Sequence, residues 1–395
     1  MYQALYRKYR PQTFDDMVGQ MAVTQTLKTQ IQSGKLSHAY LFTGSRGTGK
    51  TTSAKILAKA VNCENPQGGN PCNCCRACIA IDSGSCMDVL EIDAASNNGV
   101  DNVRDLRDDA IYTPSQVKMR VYIIDEVHML SISAFNALLK IIEEPPEHLL
   151  FILATTELHK VPATILSRCQ RFSFRRISQE DIASRLQYVA YQEKIDLDDS
   201  AARVLARLAD GAMRDGLSLL DQCASATVGE LNADRVYSCL GIAGIMECGK
   251  LMGYIADHDT GKALSLVDRF YSEGKDMGAL LDELSCLTRD FMVLKTAPRE
   301  GISMLSGVAP DEEVVQLAKR FSTGELSRMM RIIQQTAAGF TRSTSRRMDA
   351  ELCIVNLCQP ELSLDAESVN SRITRLEEMI KSGSFTAAPV RTDID

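Results

Sequence analysis

The pattern of apolar and polar positions changes its period near Arg176. Before that point, short unbroken apolar runs alternate with segments of helical spacing. Ala39-Tyr40-Leu41-Phe42-Thr43 predicts a strand that runs into a Gly-rich loop and then a helix over 50–61. Val89-Leu90-Glu91-Ile92, Val121-Tyr122-Ile123-Ile124 and the run from Leu149 to Ala154 predict three more strands. Continuous apolar runs suit strands covered on both faces, as in a parallel sheet with helices on either side. Alternation of strand and helix gives an α/β fold. From Ala134 to Glu143, the residues Phe135, Leu138, Leu139 and Ile142 form one helical stripe, and Pro145-Pro146 ends it.

After Arg176 the strand signals stop. Ser178 followed by Glu180 and Asp181 marks a helix start, and Ala202, Leu205, Ala206, Leu208 and Ala209 form a stripe closing at Gly211. A further helical block rich in Leu, Met and Ala runs over 241–362. No Pro-rich or Gly/Ser-rich linker and no repeat of fixed period interrupts it. Ile373, Leu376, Met379 and Ile380 share a stripe within 368–381, and the small, polar stretch 382–395 is expected to be disordered. The expected domains are an α/β core over 1–176, a small helical domain over 177–241, a larger one over 242–365, and a terminal helix with its tail over 366–395.

Composition sharpens this only in places. The length of 395 residues leaves room for two to four domains. With 44 Lys+Arg against 51 Asp+Glu the net charge is −7, so no basic excess announces nucleic acid. The segment Met1 to Lys8 contains no apolar run of signal-peptide type, and Leu149 to Ala154 is far too short to span a membrane. A soluble, reducing, cytoplasmic setting is therefore expected. There, clustered cysteines serve as metal ligands more often than as disulfides. Six of the 13 cysteines lie between Cys63 and Cys86, and the other seven are scattered, as small buried hydrophobes would be.

Gly44-Ser45-Arg46-Gly47-Thr48-Gly49-Lys50-Thr51 fits the phosphate-binding loop pattern, followed by Thr52 in the helix. Glycines let backbone N–H groups approach phosphate oxygens, and the following helix points its positive end at them. Lys50 supplies charge to the β- and γ-phosphates of ATP, and Thr51 offers a hydroxyl to Mg²⁺. A chance Gly-rich turn is the bland rival, and the strand before the loop with the helix after it argues against that rival. The apolar run 121–124 ends in Asp125-Glu126, at the sheet edge where ligands bind. Asp125 suits Mg²⁺ and Glu126 the orientation of a water; the alternative is a plain strand cap. His128 follows as a lone histidine and is assigned no role.

Cys63, Cys72, Cys75 and Cys78 are separated by eight, two and two residues. Four thiolates suit a closed, structural Zn²⁺ site. Cys74 can stand in for Cys75, and Cys86 is spare, so spacing does not force the set. Unliganded thiols and a DNA-binding zinc ribbon are the rival readings; Arg76 is nearly alone as a basic neighbour.

These motifs together resemble the ATPase (gamma/tau) subunits of bacterial DNA polymerase III clamp loaders, within the AAA+ class. The resemblance rests on Tyr6-Arg7-Lys8-Tyr9-Arg10-Pro11, Phe14 and Val18-Gly19-Gln20, the loop 44–51, and the cysteine insertion behind it. It continues through 125–130, Phe135-Asn136-Ala137-Leu138-Leu139-Lys140, Glu143-Glu144-Pro145-Pro146, Ser167-Arg168-Cys169 and Met213-Arg214-Asp215. It is dense over about 1–240, and the cysteine insertion is its most discriminating part. The resemblance implies an AAA+ core with an inserted zinc module over about 62–80, a helical lid and an all-α collar. It implies ATP, Mg²⁺ and Zn²⁺ as cofactors. It makes Thr156 a sensor of the γ-phosphate, Arg168 a finger reaching a neighbouring subunit's ATP, Arg214 a second sensor from the lid, and Arg10 a border of the adenine. Spacing alone would leave Arg168 and Arg214 as surface ion-pair residues.

The implied function is a motor that uses ATP to open a sliding clamp and load it onto primed DNA. The implied partners are other clamp-loader subunits in a pentameric spiral, the clamp and primer–template DNA, with no membrane. The segment Ser96 to Val100, before a helix, is a candidate phosphate contact, with a simple capped turn as its rival. The longer family form carries an extension for helicase and polymerase contacts, which are not expected of a chain ending at Asp395. Two other classes share parts of the pattern: a helicase or branch-migration motor, and a non-hydrolysing scaffold subunit. The cysteine insertion speaks against the first and the intact phosphate loop against the second.

Overall fold

In chain order the first half comprises α1 (Leu5–Lys8), α2 (Met21–Ser33), β1 (Ala39–Thr43), α3 (Lys50–Asn62), α4 (Arg76–Asp82), β2 (Val89–Asp93), α5 (Val100–Ala110), β3 (Arg120–Asp125), α6 (Ile132–Glu143), β4 (Leu149–Thr155), α7 (Ala163–Leu166), β5 (Gln170–Ser173), α8 (Gln179–Glu193), α9 (Asp199–Leu208) and α10 (Met213–Ala226). The structure is a computed structural model that describes residues 2–227, 229–298, 301, 305, 312–360 and 373. It divides into two compact units, Met1–Glu230 and Leu231–Asp395.

All five strands of the first unit are parallel, in the order β2-β3-β4-β1-β5. Thr43 lies level with Thr155, and Asp93 with Asp125, so the strands finish along one edge. The two faces carry separate cores. Tyr40, Phe42, Val121, Ile123, Leu150 and Ile152 pack with Ile56 and Leu57 of α3. Leu41, Tyr122, Ile124, Phe151 and Leu153 pack with Leu106 of α5 and Phe135 and Leu138 of α6. Two-sided burial is why β1, β3 and β4 read as unbroken apolar runs.

The edge strands depart from that reading. β2 is exposed or half-exposed along its length, and its Glu91 and Asp93 suit that edge position. β5 was not legible as a strand, because only Phe172 of its four residues is buried. Ser131 caps α6 by accepting the Ala134 N–H at 3.2 Å, so the helix starts before Ala134. Ser178 caps α8 through Asp181 N–H at 3.1 Å, as its position before two acids predicts.

The second unit is helical: α11 (Ala233–Leu240), α12 (Ile245–Ala256), α13 (Thr260–Ser272), α14 (Met277–Thr296), α15 (Glu312–Ala318), α16 (Thr323–Gly339) and α17 (Arg346–Cys358). Its core gathers Leu251, Phe270, Leu280, Leu284, Phe291, Met329 and Ile354. Arg328 is buried there and donates to the carbonyls of Asn356 and Leu357 at 2.8 and 3.1 Å. It thereby satisfies the end of α17 with a cation, where the helix dipole favours one. The unit starts at Leu231, so α11, read from the sequence as the end of the small helical domain, belongs with it. The terminal helix and tail expected over 366–395 lie outside the described residues, Ile373 apart.

Of the scattered cysteines, Cys223, Cys248, Cys353 and Cys358 are buried, while Cys286 is exposed and departs from the expected pattern. No single helix among the described residues is long and apolar enough to cross a membrane.

Candidate functional site

The loop 44–49 joins the end of β1 to the start of α3. Gly49 caps that helix at φ +100°, and Gly47 takes φ +76°, conformations that a side chain strains. Gln20, buried below the loop, holds it from behind. Its amide donates to the carbonyls of Thr48 at 3.3 Å and Arg175 at 2.7 Å. Thr48 turns its hydroxyl back to the Ser45 carbonyl at 2.8 Å, and Arg46 is exposed.

Lys50 is buried, and its Nζ donates to the carbonyls of Gly44 and Ser45 at 2.9 and 2.8 Å. Burial lowers its pKa, against the pull of Glu126 and Asp125, which favour the charged form. Thr51 donates to Asp125 Oδ2 at 2.7 Å, so two hard oxygen ligands from different elements converge. Asp125 Oδ1 accepts the N–H of Glu126 at 2.9 Å. Glu126 Oε2 in turn accepts both the N–H and the hydroxyl of Thr156, at 3.2 and 2.9 Å. The ends of β1, β3 and β4 therefore bring Lys50, Thr51, Asp125, Glu126 and Thr156 into one group.

Arg10 reaches the same helix from the N-terminal segment and donates to Thr52 Oγ1 at 3.1 Å. Arg214, in the first turn of α10, lies 5.0 Å from the centre of the Tyr6 ring. Arg168 is placed elsewhere. It pairs with Glu143 at 2.7 Å and donates to the Thr164 carbonyl at 2.9 Å, half-exposed beyond α7. The stretch Ser96 to Val100 leads into α5, with Gly99 at its N-cap and Asp101 in the first turn. An acid already there competes for the positive helix end that a phosphate would need.

One residue without an assigned role sits inside the group. His128 is nearly fully buried, with Nδ1 3.1 Å from Thr155 Oγ1 and 3.4 Å from Glu126 Oε2. Its Nε2 lies 3.3 Å from Glu157 Oε1. The sequence signal was its place two residues after Glu126, but only the turn over Val127–Met129 folds it back.

The second cluster is the cysteine set. The sulfurs of Cys63, Cys72, Cys75 and Cys78 all lie within 4.8 Å of one another. The tertiary structure thus selects Cys75, which also caps α4, over Cys74, which is exposed. The N–H groups of Cys72, Cys75 and Cys78 point at the sulfurs of Cys63, Cys72 and Cys75, at 3.3, 3.3 and 3.5 Å. The Cys74 N–H, with that of Cys75, draws the Cys72 thiol down to about 6, while burial pushes Cys78 up. Four sulfurs at this separation fit one tetrahedral ion with metal–sulfur bonds of about 2.3 Å. Lys59 of α3 ties the cluster's loop to the N-terminal segment: its buried Nζ donates to Gln12 and Asn73 at 2.5 and 2.9 Å. Asn70 accepts the Phe14 N–H at 2.9 Å and donates to Asp15 at 2.7 Å.

Three family models match the chain in succession: DNA polymerase III, delta subunit, over 19–178; the ATPase lid domain of DNA polymerase III clamp loader subunits over 181–229; and domain III of DNA polymerase III subunits gamma and tau over 231–371. DNA polymerase III subunit tau of Bacillus subtilis is 44% identical over 397 residues, covering 98% of this chain and 70% of that protein. The tau subunit of Salmonella typhimurium is 37% identical, covering 90% of this chain and 55% of its own length. That of Escherichia coli is 41% identical, covering 75% and 46%. Among solved structures, the Thermotoga maritima RuvB branch migration motor aligns with a TM-score of 0.45 and 18% identity, covering 62% of this chain and 79% of that one. That likeness is too slight to bear on function.

Proposed function

The chain belongs to the gamma and tau subunits of DNA polymerase III clamp loaders, and from that membership we propose that it is the ATP-hydrolysing motor of such a complex. The observation that supports this best is the convergence of Lys50 and Thr51 with Asp125, Glu126 and Thr156 at the ends of three strands. The Lys50 Nζ leaves the carbonyls of Gly44 and Ser45 and donates instead to the β- and γ-phosphates. Thr51 and Asp125 hold Mg²⁺, which when bound neutralises phosphate charge. Glu126 orients the attacking water, and Thr156, now bonded to Glu126, reads the γ-phosphate. No covalent intermediate is needed, because phosphoryl transfer depends on positioning and charge.

Around this centre, Gly44, Ser45, Arg46, Gly47, Thr48 and Gly49 cradle the phosphates, with Thr52 and Arg10 beside them. Arg214 reports from the lid. Arg168 acts in a neighbouring subunit's site, which accords with its contacts to Glu143 and Thr164 instead of to this loop. A planar guanidinium suits the charge that develops on a transferring phosphoryl group. Cys63, Cys72, Cys75 and Cys78 hold a structural Zn²⁺. The complex contains other clamp-loader subunits in a spiral and acts in the cytoplasm. It opens a sliding clamp on ATP binding and closes it around primer–template DNA on hydrolysis.

The test is an ATPase assay with partner subunits, clamp and primed DNA added stepwise. Strong stimulation only when all are present supports the reading. Duplex unwinding by the chain alone would reject it.

A further inference from the structure

We propose that His128 is a positioning residue for the hydrolysis step: it braces the Glu126 carboxylate against the loop that leaves β4. The inference rests on the reading of Glu126 as the water-orienting carboxylate.

Glu126 does not sit at the end of a relaxed strand. Its backbone lies in the left-handed region, at φ +47° and ψ +45°, an uncommon conformation for a glutamate. The turn over Val127–Met129 then reverses the chain and brings the imidazole back under the carboxylate. The ring is nearly fully buried, so its nitrogens have little access to water and depend on protein partners.

Those partners belong to one short segment. Thr155 Oγ1 is 3.1 Å from Nδ1 and also accepts the Glu157 N–H at 3.0 Å. Glu157 Oε1 faces Nε2 at 3.3 Å. Thr156, between them, gives both its donors to Glu126 Oε2, and Nδ1 stands 3.4 Å from that same oxygen. The imidazole thus fixes the distance between the Glu126 turn and the Thr155–Glu157 segment. When Thr156 turns from Glu126 to a phosphate, the ring is the neighbour left beside that carboxylate oxygen to hold it in place. The Nδ1–Thr155 hydrogen bond, with the Glu157 carboxylate 3.3 Å from Nε2, constrains the orientation of the imidazole. Lys160 holds Glu157 from the far side at 2.9 Å, so the brace is anchored at its outer end.

The experiment uses the complex reconstituted with its partner subunits, clamp and primed DNA. His128→Ala is expected to lower kcat about tenfold, while the Kd for a slowly hydrolysed ATP analogue stays within about twofold. His128→Asn places an amide where Nδ1 stood and is expected to restore most of kcat. His128→Gln reaches only the Nε2 position and is expected not to. Unchanged kcat in His128→Ala overturns the proposal. So does equal recovery, or no recovery, with Asn and Gln, or loss of analogue binding in step with kcat, because each marks a packing role. Glu126→Gln in the same assay separates the two readings. A dead Glu126→Gln with an indifferent His128→Ala rejects the brace alone, whereas an active Glu126→Gln rejects the role of Glu126 and the brace with it.

Discussion

Gly47 of the phosphate loop abuts Ala212, the residue that precedes α10 and Arg214: a Cβ on the glycine would stand 2.6 Å from the alanine's Cβ. The loop that would grip phosphates and the helix that carries Arg214 touch at a point with no room for a methyl group. Gly47 also holds φ +76°, so a substitution there meets both strain and a clash.

Gly47→Ala is therefore expected to weaken ATP-analogue binding at least about tenfold, because the loop and α10 must separate. Gly34→Ala is the control. Gly34 has a similar φ of +67° but open space around its Cβ position. It is expected to cost about 1 kcal/mol of stability and leave binding unchanged. Equal binding by both variants would show that the contact with Ala212 does not matter.

Lys50 and Arg168 are expected to fail differently. Lys50→Ala removes the cation from the phosphate loop and is expected to abolish turnover in every assembly, by more than about a hundredfold. Arg168→Ala is expected to spare analogue binding by the isolated chain and to cripple hydrolysis only in the assembled complex. Loss of binding by isolated Arg168→Ala would place that arginine in its own subunit's site.

Elemental analysis is expected to find about one zinc per chain. Cys72→Ser is expected to lower that content and the Tm, since metal binding by such a loop is coupled to its folding. Cys74→Ser is expected to change neither, because Cys74 is exposed outside the four-sulfur group. Near-zero zinc in fully reduced wild-type protein would rule the site out.

Asp88 sets an acid limit on stability. Burial alone would raise its pKa, but the N–H groups of Gln116 and Ser115, at 2.7 and 2.9 Å, and Arg120 at 3.0 Å outweigh that and lower it. The folded carboxyl binds a proton less readily than the unfolded one. Its stabilisation is thus complete above the unfolded value of about 3.9 and fades as pH falls through the folded value. Asp88→Asn leaves Arg120 without its charge partner and is expected to cost about 3 kcal/mol at pH 7 by chemical denaturation. The difference from wild type should shrink below about pH 4. A constant difference across that range would show that the charge is not what stabilises.

The central strands, the phosphate loop and the Asp125-Glu126 pair were legible because each signal lies within a few consecutive residues. The edge strands were less so: β2 reads as buried but is half-exposed, and β5 has a single buried residue to announce it. Burial depends on a strand's neighbours in the sheet, and sheet order is not written in any one segment.

By itself the sequence determined the α/β-then-helical organisation, the loop 44–51 and the Asp125-Glu126 pair, and a cysteine cluster with one ambiguous member. Periodicity and motif spacing are local, and so are the physical constraints behind them. Only the tertiary structure decided that Cys75 and not Cys74 joins the cluster, that Arg168 stands away from its own chain's phosphate loop, and that His128 lies against Glu126. Each of these depends on segments meeting that are distant in the chain or reversed by a turn. The reason is that packing, through the limited room between facing elements, selects one neighbour from several that local pattern allows.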